Sequence, residues 1–500
     1  MSEQTAVISK NDPDRLGKER IGSLLLEFAI PAIFGMLFNT LYNIIDTAFL
    51  QTAVGDTGAA VATLAMPVMT ILMGFSMLAG QGGNALAAIQ MGEGKHEEVE
   101  RTLGNTVFLL IAIALIVALF AIFAMPLLLA FISTPAELEE QTTIFVGIIC
   151  VGFVFQSLGM GVNNFLRTAG KPNLAFLTMA LGTLVCIVMN YILVIRLDFG
   201  VAGSAWATII GQICGMIPTV GYFIFVKSAP FRLKLRMCVP RPRLCGRILV
   251  MGLASFLMQV GSMCVSLVFN MVIGQYCIID CLSEDSVLAA IGIAQKATLF
   301  CFTPMIGLLQ AAQPIIGFNF GAKLWSRVLQ TFKLSVITAM VFGGIFTIVA
   351  FAIPGPVVSI FGIKGDSAAM AATALTIYSV FYCPVGFQVM SSSYFQSSGQ
   401  PVKSATLELT RQVLFLIPLY LFAPPFLMEW FGLTGCMSVV VCAPVSDVLS
   451  ICVTTCFIVY EMRKIRRWRK EAEELVPGSS SCLEKAAELA QLEQGNAAQA

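Results

Sequence analysis

Long apolar runs dominate the chain and are separated by short polar connections. Runs such as 107–132, 142–166 and 336–361 reach the ~20 residues that a helix needs to cross the hydrocarbon of a bilayer. They lack the strict alternation of a lipid-facing β-strand. Lipid offers no water to satisfy an unpaired backbone, so the runs predict helices. Twelve spans are predicted, at approximately residues 24–50, 57–80, 105–132, 142–166, 174–195, 201–226, 248–272, 286–311, 334–361, 367–394, 405–425 and 434–460.

The second half of the pattern repeats the first. Gln81 and Gln310, Gly92 and Gly321, and Val99 and Val328 share an offset of 229 residues. Each copy contains six predicted spans, so the copies have the same orientation and are parallel repeats about an axis along the membrane normal. The pattern therefore predicts an all-α polytopic membrane protein of twelve transmembrane helices in two six-helix lobes.

Composition and charge agree with this reading. Hydrophobic residues make up 57% of the chain and charged residues 12%, where a soluble protein has roughly 25% charged residues. The basic runs 227–247 and 463–470 fall in segments on one side of the twelve spans, whereas Glu137, Glu139 and Glu140 fall on the other side. This is the positive-inside pattern, and it predicts two cytoplasmic termini and no nucleic-acid partner.

These patterns divide the chain into five parts. They are a cytoplasmic tail over 1–20, a first lobe over 21–226, a basic cytoplasmic linker over 227–247, a second lobe over 248–461 and a cytoplasmic tail over 462–500. The first tail has no apolar core before a small-residue cleavage site, so it is not expected to be a signal peptide.

Short motifs in both halves carry a family resemblance. They are Pro31, Tyr42-Asn43-Ile44-Ile45-Asp46, the stretches 164–172 and 200–208, and the stretches 313–322 and 395–401. Taken in order, they resemble the multidrug and toxic compound extrusion (MATE) transporters, and are most similar to the bacterial branch of MepA-type drug exporters. The likeness runs from about residue 20 to 460.

The resemblance implies a MATE/MOP-type inner-membrane transporter fold with a central cavity that opens alternately to each side. It implies secondary active export of amphipathic or cationic drugs and metabolites in antiport with H⁺ or Na⁺. The implied protein is a monomer in lipid, in the bacterial cytoplasmic membrane, and its partners are small-molecule substrates.

Three polar residues of the first lobe form the candidate ion-coupling site. A carboxylate within a span is a functional hypothesis by default, and Asp46 is one. Asn190 and Thr208 lie at similar predicted heights, and the resemblance implies that the three contribute to a cation site. Many relatives place an Asp where this chain has Val194. A Na⁺ site with one carboxylate loses an anionic ligand, whereas proton coupling needs only one titrating group, so H⁺ is favoured.

Charged and amide side chains in other spans are candidates for the substrate cavity. Lys296 and Asp447 fall near the middles of the eighth and twelfth spans, where they predict either an ion pair across the second lobe or two cavity residues. Glu408 and Arg411 lie three residues apart near the inner end of the eleventh span, which favours a local ion pair near the membrane surface. The remaining cavity candidates are Gln259, Asn270 and Asn39.

The chain carries no sequence signal of an enzyme. It has no phosphate-binding loop and no His-rich metal motif, so no cofactor or resident metal is expected beyond the coupling ion. The nearest alternative function is a lipid-linked oligosaccharide or polysaccharide flippase of the same superfamily, although few basic residues lie in the spans. A channel or a non-transporting scaffold is a further class.

Overall fold

The computed structural model describes residues 15–131, 135–279, 284–359 and 366–475. All regular structure in these ranges is helical. The helices of the first half are α1 Arg15–Lys18, α2 Ile21–Val54, α3 Asp56–Gly92, α4 His96–Phe123, α5 Met125–Phe131, α6 Glu139–Thr168, α7 Pro172–Asn190 and α8 Gly200–Phe225. A π-helical turn over Tyr191–Arg196 joins α7 to the segment before α8.

The helices of the second half repeat this order. They are α9 Pro242–Ile279, α10 Glu284–Gly321, α11 Trp325–Ala352, α12 Pro354–Ser359, α13 Asp366–Ser379, α14 Tyr382–Ser397, α15 Pro401–Leu409, α16 Ile417–Phe431 and α17 Gly435–Leu475. A π-helical turn over Thr410–Leu416 joins α15 to α16, and a 3₁₀ turn over Leu235–Met237 lies between the halves.

The described helices confirm the membrane-spanning architecture. Eleven are long and apolar enough to cross a bilayer, and α13 with α14 forms a twelfth span that bends by 52° at its break. Pro384 stands just after the break. Proline has no backbone N–H, so Pro384 cannot donate a hydrogen bond to the carbonyl of Val380, four residues earlier. The helix is therefore interrupted at this point.

The two halves meet through equivalent helices at one end of the molecule. A Cβ on Gly92 of α3 would lie 2.0 Å from the carbonyl oxygen of Phe318 in α10, and a Cβ on Gly321 would lie 2.0 Å from that of Ile89. Each contact is the other's counterpart under the 229-residue repeat. Only glycine permits this approach. We call this end, which includes the connections 93–95 and 322–324, the basic end.

The start of the described chain lies between the two halves at the basic end. Arg15 donates hydrogen bonds to Glu19 at 2.6 Å and to both carboxylate oxygens of Glu27. Burial would lower the pKa of Arg15, but the two carboxylates raise it above its ordinary value. Arg327 of α11 donates to the carbonyl oxygens of Leu16 at 3.1 Å and Glu19 at 2.6 Å. The segment therefore ties α2 to the second half.

The last helix is longer than the span predicted for it. Helix α17 continues to Leu475 and includes the basic run that the sequence places after the last span. Residues 1–14 and 476–500 of the predicted tails lie outside the described residues.

Candidate functional site

Helix α2 carries Asp46 and packs against α7, α8 and the π-helical turn after α7. The side chain of Asp46 lies outside the described residues, so its position is given by its helix. Phe38 contacts Phe176 of α7, with ring centroids 5.9 Å apart. At 1.5 Å per residue, Asp46 lies about 12 Å beyond this contact along α2.

Asn190 and Thr208 converge on one cysteine. The amide of Asn190 donates to the carbonyl oxygen of Cys186 at 3.2 Å and lies 3.7 Å from its sulfur. The Cys186 sulfur lies 3.9 Å from the hydroxyl oxygen of Thr208. All three residues are buried. Cys186 lies about 15 Å beyond Phe176 along α7, close to the height of Asp46 in α2.

Small residues set the close approach of α7 and α8 that brings these side chains together. A Cβ on Gly211 would lie 2.6 Å from the Cβ of Cys186, and one on Gly215 would lie 3.0 Å from the carbonyl oxygen of Thr178. Glycines at helix contacts let two backbones approach within a membrane. Short side chains such as Cys186 and Thr208 can then meet across the contact.

The π-helical turn places an apolar residue beside this group. Val194 is buried, with 1% of its surface exposed. Its side chain offers no oxygen ligand, so the polar oxygens that the described side chains of this group supply are the amide of Asn190 and the hydroxyl of Thr208. Among the residues that the structure describes, no cluster of three or more His, Cys, Asp or Glu side chains could hold a metal ion.

The two halves contact each other from the basic end to mid-depth. Thr40 of α2 and Thr303 of α10 lie 3.2 Å apart through their hydroxyl oxygens. Helices α3 and α9 are the counterparts of α10 and α2 in the repeat. There, a Cβ on Gly74 of α3 would lie 3.3 Å from the Cβ of Gln259 in α9. Gln259, predicted to be a cavity residue, is therefore half-buried at the contact between the halves.

Beyond these contacts the same helix faces become exposed. Asn270 lies eleven residues after Gln259, which is three helical turns, and so shares its face of α9. Lys296 lies two turns before Thr303 and shares its face of α10. Asn270 and Lys296 are both exposed. Asn39, next to Thr40 at mid-depth, is also exposed but lies on a different face of α2. A cleft therefore opens between the halves at the end opposite the basic end.

Of the two alternatives for Lys296 and Asp447, the ion pair between them does not form, because Asp447 pairs with Arg411 instead. Asp447 is buried and accepts a hydrogen bond from Nε of Arg411 at 2.8 Å. Arg411, which the sequence pairs locally with Glu408, stands in the π-helical turn and faces α17. Within the described part of the chain Lys296 forms no ion pair, and it lies on the cleft-facing side of α10.

Sequence reasoning also missed a second buried carboxylate. Glu461 of α17 is fully buried and accepts hydrogen bonds from Lys403 and Gln400, both at 2.7 Å. Gln400 lies in the Gly-Gln-Pro-Val motif that repeats Gly-Lys-Pro-Asn of the first half. Two sequence features could have indicated this pair. Lys403 directly follows the repeated motif, and Glu461 is an acid that lies just before the basic run of α17.

Comparison with known proteins connects this architecture to a family. The chain matches the family model described as MatE over residues 31–192 and 254–421. It is 24% identical over 421 residues to a protein of Staphylococcus aureus named Multidrug export protein MepA, covering 84% of this chain and 90% of that protein. The protein of the same name from Staphylococcus saprophyticus is 23% identical over 414 residues, covering 82% of this chain and 88% of that one.

Solved structures share the fold over nearly the whole chain. A MATE protein in complex with MaL6 has a TM-score of 0.83 at 19% identity, covering 92% of this chain and 99% of that one. A multidrug resistance MATE family transporter in an outward-facing conformation has a TM-score of 0.81 at 20% identity, covering 91% and 98%. At this identity the likeness shows the fold alone.

Proposed function

The chain belongs to the MatE family, and from that premise we propose that it is a secondary active multidrug exporter. It would expel amphipathic or cationic drugs or metabolites in antiport with H⁺, by alternating access. The observation that supports this most is the cleft. Faces that join the two halves near the basic end separate towards the other end and expose Asn270 and Lys296.

Asp46 is the residue proposed to exchange the proton. A carboxylate in an apolar environment holds its proton more strongly than in water, and solvation of the site releases it. Asn190 and Thr208 would support the carboxylate from α7 and α8, because they meet at Cys186 near the height of Asp46. Val194 supplies no second carboxylate, which supports H⁺ over Na⁺ as the coupling ion.

The basic end is proposed to face the cytoplasm. Lys and Arg accumulate in cytoplasmic segments, and both basic runs belong to this end. The cleft of this conformation then opens to the outside, and both termini are cytoplasmic, in the inner membrane of a bacterium. The protein would work as a monomer, since each chain contains both halves.

The cleft is proposed to be the substrate cavity. Asn39, Gln259, Asn270 and Lys296 would offer it polar contacts, while Met and Phe side chains would supply an adaptable apolar wall. A charge in lipid is expensive, which supports a cavity position for Lys296. The relatives are named as multidrug exporters, so the flippase alternative is not favoured.

Loss of the carboxylate tests this proposal. Asp46→Asn keeps the shape of the side chain but cannot release a proton, so efflux of ethidium from energised membrane vesicles should fall to the level of vesicles that lack the protein. The matched control is Asp198→Asn in the connection before α8. Asp198 is exposed and adopts a φ of 53°, which Asn tolerates well.

The control should transport as the wild type does. Unchanged efflux by Asp46→Asn, at equal amounts of protein, would remove Asp46 from the coupling site. Equal loss in both variants would indicate a general effect of removing acids and would also count against the proposal.

A further inference from the structure

A groove outside the proposed transport path lies between α11 and the end of α17. Its volume is about 620 Å³. It lies on the surface near the basic end, separate from the cleft between the two halves. It contains no residue of the proposed ion site or substrate cavity.

One part of the groove wall is cationic. Lys333 comes from α11, and Arg466, Arg469 and Lys470 come from α17. The residues of α17 are spaced by three and four positions, so they lie on one face of the helix. None of the groove's lining residues is acidic. The rim therefore presents basic side chains from two helices to whatever occupies the groove.

The other part of the wall is apolar and continues onto the outer surface of α11. The groove's apolar residues are Leu329, Phe332, Val336, Ile337 and Met462. Further along α11, at helical spacing from Ile337, Val341 and Ile345 are each 54% exposed and Ile348 is 68% exposed. An apolar track thus leads from the cationic rim towards the middle of the membrane.

Tryptophans mark the depth of the groove. Trp325 at the start of α11 packs against Trp468 of α17, with ring centroids 5.0 Å apart. The ammonium group of Lys464 lies over the Trp468 ring, 4.4 Å from its centroid. Tryptophan concentrates at the level of lipid headgroups. The cationic rim therefore lies where phosphates of the bilayer are found, and the apolar track lies where acyl chains begin.

We propose that this groove binds an anionic glycerophospholipid. Lys333, Arg466 and Lys470 would hold its phosphodiester, and its acyl chains would follow the apolar wall of α11. Basic pockets between helices near a membrane surface are suited to such headgroups. The cationic rim together with the apolar track favours a whole lipid over free phosphate, because free phosphate has no acyl chains to contact the apolar part of the wall.

Native mass spectrometry of the detergent-solubilised full chain tests the proposal. Titration with phosphatidylglycerol should give a saturable one-lipid complex. Phosphatidylcholine with the same acyl chains and inorganic phosphate should bind much more weakly. The double variant Arg466→Gln/Lys470→Gln should bind phosphatidylglycerol roughly 30-fold more weakly, since each basic residue near the headgroup contributes on the order of 1 kcal/mol.

The matched control removes the same charge from two residues of α17 that do not line the groove. Arg463→Gln/Arg467→Gln should bind phosphatidylglycerol as the wild type does, because neither residue lines the groove. Lys333→Gln should weaken binding from the α11 side. Equal loss in the two double variants, or equal binding of phosphatidylcholine, would overturn the proposal.

A chain that ends at residue 475 separates lipid from a competing occupant. Its affinity for phosphatidylglycerol should equal that of the full chain. If lipid bound only to the shortened chain, the acidic residues after 475 would be the occupant, and the lipid proposal would be wrong.

Discussion

Arg411 and Asp447 form an ion pair that ties the π-helical turn before α16 to α17. The pair is 2.8 Å long, and the side chains are 25% and 9% exposed. Ser446 strengthens the same junction, because its hydroxyl donates to the carbonyl oxygen of Arg411 at 2.9 Å. Removing one partner of such a pair leaves the other charge poorly solvated, which is more harmful than removing both.

Asp447→Asn should therefore destabilise the protein by about 3 kcal/mol. Thermal unfolding in detergent would report this as a lower Tm. Arg411→Gln/Asp447→Asn should recover part of the loss, because no lone charge remains.

Lys296→Gln is the comparison for this prediction. Lys296 is exposed on the cleft face, so its replacement should change stability by no more than about 0.5 kcal/mol. If Lys296→Gln lowered the Tm as much as Asp447→Asn does, the result would contradict the Arg411–Asp447 pair and favour an ion pair between Lys296 and Asp447.

Sequence reasoning located the acids and bases of the spans but not all of their partners. Asn190 and Thr208 were placed at one height by counting residues, and the structure brings both to Cys186. Counting residues along the spans could not pair Asp447 with Arg411, because that pair depends on how α15, the π-helical turn and α17 pack together. A π-helical turn has no distinct sequence signature, and it changes the direction of each residue that follows.

At the scale of helices, glycines determine how closely the two halves approach. A Cβ on Gly252 of α9 would lie 1.8 Å from the carbonyl oxygen of Leu78 in α3, and one on Gly82 would lie 2.1 Å from that of Ile248. Backbone cannot yield as a flexible side chain does. This contact can therefore form only with glycine at these positions.

Gly252→Ala should force α3 and α9 apart and disfavour this conformation. Hydrogen–deuterium exchange should rise at the basic-end termini of α3 and α10, while transport falls. Gly246→Ala in the same helix is the control, because a Cβ there meets nothing within 4 Å. Equal exchange in wild type and Gly252→Ala would mean that this contact does not hold the basic end closed.

Helices and their number were predictable because lipid fixes the length of a span and forbids unpaired backbone. Finer boundaries were less predictable. Helix α9 begins at Pro242 and α17 ends at Leu475, since polar helix ends continue into water where hydropathy no longer marks them. The break between α13 and α14 could be suspected from Pro384, but its 52° bend depends on packing.

For the whole molecule, the repeat explains the symmetric contact at the basic end, and the differences between copies explain the proposed chemistry. Gly92 and Gly321 are equivalent and meet equivalent partners. Asp46 is in the first copy, whereas Arg411 and Asp447 are in the second. Which conformation the chain adopts could not be predicted from sequence, because the same glycines and polar residues are required in every state of the cycle.

The central claim is that proton movement drives export through the first half. Its most direct test is ethidium transport in proteoliposomes under an imposed H⁺ gradient or an imposed Na⁺ gradient, each applied alone. The account predicts ethidium accumulation against the direction of H⁺ flow, no accumulation with the Na⁺ gradient at equal pH on both sides, and no H⁺-driven accumulation with Asp46→Asn. Ethidium accumulation driven by the Na⁺ gradient alone, or ethidium movement that depends on neither gradient, would contradict this account.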